Sequence, residues 1–232
     1  MSLNKLLCKI KNPKLRNILT NTPLRARVFF AISILGTLAF VVFNAVAGVL
    51  YRSLWYGSLA VYYIFLIAMK VLLVVFAKYV AKKYSDDVDK LIYEQWRIYL
   101  INGVLLLVLD LALTASTVQM ATMAKPTKTH MIIAIATAAY AFFKIITSIV
   151  NAIRNRKTND VLLQVIRNIN LVSATVSMLA LTSTMISTFG DFASMRTLLA
   201  CVSVGVSVAI ISLSILMIIK GTANMKSLHG RI

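Results

Sequence analysis

Apolar residues run along this chain in six long blocks, and the ionisable residues fall almost entirely between them. Crossing the hydrocarbon core of a bilayer takes about 20 apolar residues as a helix. Blocks of that size lie near 28–51, 54–77, 98–121, 131–153, 169–188 and 197–219. Lipid offers no partner to backbone N–H and C=O groups, so each block is predicted to be a helix. The alternating pattern of a membrane barrel strand is absent. The expected fold is therefore all-α: a polytopic six-helix transmembrane bundle over 28–219, preceded by a basic arm (1–27) and followed by a short tail (220–232).

The first block is a full span long, which favours an uncleaved helix over a signal peptide, although Ala45-Val46-Ala47 resembles a cleavage site. In the arm, Leu3, Leu6, Leu7 and Ile10 recur at helical spacing among lysines. That pattern fits either a helix on the inner leaflet or a solvated arm broken by Pro13 and Pro23. A tight turn is expected at Arg52-Ser53, with Tyr51, Trp55 and Tyr56 at headgroup level. Ser85 to Trp96 reads as a separate short interfacial helix. Its acids Asp86, Asp87, Asp89 and Glu94 are interleaved with Lys90 and Arg97, which fits a charge-balanced face better than a cation site.

Composition sharpens this picture. The 232 residues are 59% hydrophobic and carry a formal net charge of +18. The placement of the charge argues against nucleic acid. With a cytoplasmic amino terminus, only Arg52, Lys125, Lys128 and Arg196 of the 25 Lys and Arg face outward, and Lys70 and Lys144 lie inside spans. This bias predicts both termini in the cytoplasm and a multi-pass protein of the cell membrane. The expected partners are the lipid bilayer and its anionic inner-leaflet lipids, and a homodimer stays open. Cys8 and Cys201 fall in different compartments of this layout and are expected to be unpaired.

Candidate chemistry is sparse. Asp110 is the one carboxylate deep in a span, a costly placement that marks a functional hypothesis. Lys70 and Lys144 lie at a similar depth, so Asp110 is expected to face one of them, as part of an ion or proton path or as a structural ion pair. Span five is rich in Ser and Thr, which fits a polar pathway or close helix packing. Tyr62, Asn168 and Asn170 complete the candidate polar site. His130 and His229 are isolated, and no phosphate-binding glycine loop or nucleophile elbow occurs. Neither an enzyme nor a cofactor is expected.

The stretch Tyr51 to Leu66, Lys144 with Asn151, and the Asn168–Leu181 region resemble an uncharacterised family of six-helix bacterial membrane proteins. More distantly, Gly48, Ser53 and the small residues that follow, with Lys144, the basic segment to Lys157 and span five, resemble the transmembrane domain of the cation diffusion facilitator family. That resemblance implies two metal ligands four residues apart in spans two and five. Matching Ser53 to the family's turn serine puts Tyr62 and Leu66 at the span-two positions. Span five offers only Gln164, Arg167, Asn168 and Asn170, with no Asp, Glu, His or Cys from Leu162 to Leu181. The expectation is a cation-efflux-like bundle without that metal site and without a tight zinc or manganese site. Its expected role is transport of a small ion or solute by alternating access past spans two, three and five. The alternative is a non-transporting membrane scaffold or regulatory subunit. Two half-repeats, spans one to three and four to six, are compatible with the layout.

Overall fold

The structure, a computed structural model, describes residues 22–84, 87–122, 130–154, 160–189 and 192–229. The described residues are helical apart from short connections. The six helices are α1 (Thr22–Leu50), α2 (Leu54–Lys83), α3 (Val88–Thr122), α4 (Met131–Arg154), α5 (Val161–Phe189) and α6 (Phe192–His229). All six are long and apolar enough to cross a membrane, and each expected block falls on one of them. Residues 1–21, with Cys8 and the leucine stripe, lie outside the described residues. Pro23 sits in the first turn of α1, where its missing N–H breaks no helical hydrogen bond.

One boundary differs from expectation. Of the segment expected as a short interfacial helix, Val88–Trp96 is the first turns of α3, and residues 85–86 lie outside the described residues. No Gly or Pro interrupts it. Lys90–Asp87 (2.8 Å) and Arg97–Glu94 (3.4 Å) pair one turn apart along it. The hydrogen bond from Lys90 holds the Asp87 carboxyl below its ordinary range.

The α1–α2 turn is closed by backbone bonds from Ser53 N–H to Gly48 C=O (3.0 Å) and from Arg52 N–H to Val49 C=O (3.3 Å). Arg52 takes φ +46° between them. These are the bonds of a Schellman cap with a left-handed residue at its end. The Tyr51 ring lies 6.0 Å from that of His130, just before α4, so the two connections share one end of the bundle. The contacts Thr37–Lys144 and Phe40–Tyr140, and Leu100–Gly221 and Gly103–Met217, show α1 antiparallel to α4 and α3 antiparallel to α6.

Helix α5 is the hub and touches α2, α3, α4 and α6. The contact pattern is nearly exchangeable between halves. Helix α1 packs on α2 as α4 packs on α5, and α2 meets α3 as α5 meets α6. Across the halves, α2 meets α5 and α3 meets α6; the α3–α5 contact has no equally large counterpart. The α3–α6 seam is close because small residues line it. A Cβ built on Gly221 would stand 2.9 Å from Leu100 Cβ, and one on Gly103 3.0 Å from Met217 Cβ.

Large apolar side chains cover the outside of the bundle. Val49, Ile132 and Ile153 are each more than 70% exposed. Apolar surface on this scale exceeds what a soluble monomer exposes, and it suits contact with lipid chains. Between α2 and α3 the packing opens into an apolar cleft of about 670 Å³, lined by Val61, Phe65, Leu72, Leu105, Val108 and their neighbours.

Candidate functional site

Four helices, α1, α2, α4 and α5, enclose two lysines. Lys70 on α2 is 1% exposed and Lys144 on α4 is 3% exposed. At about 1.5 Å per residue they lie roughly 15–20 Å from the ends of their helices on the Thr22 side. Lys144 Nζ donates to Thr37 Oγ1 at 2.5 Å, and Lys70 Nζ donates to Ser33 Oγ at 3.4 Å. Thr37 Oγ1 donates to its own helix at Ser33 C=O (2.7 Å). Ser33 Oγ donates to Asn170 Oδ1 on α5 (3.5 Å). The two hydroxyls that receive the lysines are one helical turn apart, about 5–6 Å.

An aromatic layer lies on the Arg52 side of these lysines. Phe40 stacks on Tyr140 with ring centroids 3.7 Å apart. Tyr63 meets both edge-on, at 5.2 and 6.0 Å. The Tyr63 and Ser177 hydroxyls share a hydrogen bond of 3.0 Å that ties α2 to α5. The Tyr140 ring also faces Lys144 Nζ at 5.5 Å, a cation–π geometry. The Tyr140 hydroxyl stands beside Thr37 and Ser173. Yet the Tyr140 and Ser173 hydroxyls are both buried without a hydrogen-bond partner. Both hydroxyls therefore keep donor capacity at the edge of the lysine site.

Among the described residues the ion pairs are the two exposed ones at the start of α3. The expected pairing of Asp110 with Lys70 or Lys144 is not formed. Asp110 is 1% exposed, but neither carboxylate oxygen has a hydrogen-bond partner. Its polar neighbours are Ser207 on α6 and Tyr62 on α2, and Ser207 itself pairs with Thr114 (2.9 Å). The reason is both depth and direction: Tyr62, which stands beside Asp110, lies eight residues, or about 12 Å, along α2 from Lys70. Helix α3 packs on α6, α2 and α5, whereas Lys144 stands on α4, which packs on α5. On α2, Tyr62 lies about 80° around the axis from Lys70, and it lines the α2–α3 cleft instead.

The six candidate residues therefore divide. Lys70, Lys144 and Asn170 share one site. Asp110 and Tyr62 form a second group, with the Tyr62 hydroxyl also buried and unpartnered. Asn168 points away from Asn170, as two residues on a helix must, and its amide donates to the Tyr99 hydroxyl at 3.5 Å. Leu66, the other position that the cation-efflux likeness implied, is wholly buried. Among the described residues no three His, Cys, Asp or Glu side chains cluster. Sequence reasoning missed Ser33, Thr37 and Tyr140. Their signal is faint: Ser33 and Thr37 are spaced i, i+4 within an apolar block, as are Tyr140 and Lys144. No family model matches the chain, and no curated protein or solved structure matches it.

The electrostatics of the lysine site are unbalanced. A lysine at the centre of a spanning helix costs about 2.5–3.5 kcal/mol on insertion scales. Two ammonium charges enclosed in one site of low dielectric constant would also repel each other. The groups that contact them are two neutral hydroxyls and the Tyr140 ring. Such an arrangement is expensive for a part that only holds helices together.

Proposed function

We propose that this chain is an integral membrane transporter of a small ion or solute, working through the polar site of α1, α2, α4 and α5. The observation that carries the reading is the position of the paired lysines, where the two near-exchangeable halves meet. Related halves packed about a midplane polar site are the recurring architecture of secondary transporters. The Phe40–Tyr63–Tyr140 layer fits a closed gate on the Arg52 side. Alternating access would then require α1 and α4 to part from each other across that layer. Tyr62 and Leu66 are poor ligands for a divalent metal, which points the reading away from divalent cations.

The test is flux in proteoliposomes that hold the full chain. Labelled chloride, formate and sodium are followed into vesicles with valinomycin, under an inward potassium gradient (inside positive) for the two anions and an outward one (inside negative) for sodium. The proposal expects at least one to move faster than in empty vesicles, and Lys144→Met to abolish the excess. Background rates for all three would refute transport and leave the scaffold reading, in which the polar core only holds helices together.

A further inference from the structure

Lys70 and Lys144 are enclosed in one site, and among the described residues no carboxylate pairs with either of them. The remaining polar groups around them are suited to donate. The Tyr140 and Ser173 hydroxyls are buried and hold no partner. A cation placed here would meet two ammonium groups. A second lysine would also be a poor structural tie, since nothing in its surroundings neutralises it. Charge balance in a medium of low dielectric constant calls for an anion between the two heads.

We propose that Lys70 and Lys144 are the two positive poles of an intramembrane site for a compact monoanion, with Tyr140 and Ser173 completing its donor shell. This deepens the transport reading by naming a substrate class, but binding can be tested apart from flux. The span sets the size. The hydroxyls that hold the two heads are one helical turn apart on α1, and charge-assisted N–H contacts run about 2.7–2.9 Å, so one anionic atom or a carboxylate-sized group suits the space between the heads. A bulky anion does not fit between α1 and α4 while Phe40 and Tyr140 stack at 3.7 Å. In the bound state each lysine turns from its serine or threonine hydroxyl toward the anion. Ser33 and Thr37 then keep their place as secondary contacts.

The experiment is calorimetric titration of the full chain in neutral detergent. Chloride, nitrate and formate are the probes, with gluconate as the balancing anion at constant ionic strength. Saturable binding of at least one probe is expected, unchanged when choline replaces sodium. Lys70→Met and Lys144→Met should each weaken it tenfold or more, Lys144→Arg less. Tyr140→Phe keeps the charge and the ring, so it remains informative if a lysine variant fails to fold. It should weaken binding about threefold or more. No saturable heat for any of the three, heat that follows the cation, or full affinity in Lys144→Met or Tyr140→Phe would overturn the proposal. Binding without flux would uphold this site and refute transport, which keeps the two readings separable.

Discussion

Asp110 shows most clearly how a side chain is placed by its helix's neighbours. It lies about 12 Å farther along the bundle than Lys70 and on another face, and it ends beside Ser207 and Tyr62 with no cation of the described residues near it. Sequence reasoning pairs opposite charges, and on that basis Asp110→Asn should weaken the fold. The structure reverses the sign. A carboxylate without a partner in a buried seam costs free energy, and a neutral amide relieves part of it. Asp110→Asn should therefore stabilise the bundle by about 1 kcal/mol, well within the usual cost of an unpaired buried charge. Reversible unfolding in mixed micelles measures it. A loss of similar size would mean that Asp110 has a partner after all. The lysines were legible as anomalies because ionisable residues stand out in apolar blocks. Their partners were not, because Ser33 and Thr37 are neutral residues of a kind common in any span.

At the scale of elements, the apolar blocks located all six helices. They did so because lipid leaves a spanning segment no other way to satisfy its backbone. They did not locate the start of α3. Hydropathy falls before residue 98, but nothing in Val88–Trp96 breaks a helix, so the helix continues beyond the apolar stretch. Nor could block lengths say that α3 seats itself on α6. That choice rests on small residues at the seam, and α6 carries a built-in comparison. At Gly221 an added Cβ would press on Leu100 at 2.9 Å, whereas at Gly205 nothing lies within 4 Å. Overpacking a close seam costs about 1–3 kcal/mol, and replacing a helical Gly by Ala gains about 0.5–1 kcal/mol. Gly221→Ala should thus destabilise the bundle on balance, while Gly205→Ala should stabilise it. Unfolding of the two variants side by side checks the pair, and equal effects would contradict the described seam.

For the molecule as a whole, two polar groups are kept apart by the way the halves meet. Lys70, Lys144, Thr37 and Asn170 occupy the α1–α2–α4–α5 side, and Asp110 with Tyr62 occupies the α2–α3–α6 side. Depth along each span can be counted from sequence, but the azimuth that sorts residues into these groups comes from packing. The proposed transport and anion site both depend on this separation, which thiol cross-linking reads directly. In a chain with Cys8 and Cys201 replaced by serine, Thr37→Cys is combined with Lys144→Cys, and Asp110→Cys with Lys144→Cys. Each pair is treated in membranes with a short bifunctional methanethiosulfonate and then digested between the two positions. The account predicts that Thr37→Cys with Lys144→Cys joins α1 to α4 efficiently, while Asp110→Cys with Lys144→Cys stays unjoined. Efficient linkage of the Asp110 pair, with none between positions 37 and 144, would contradict it.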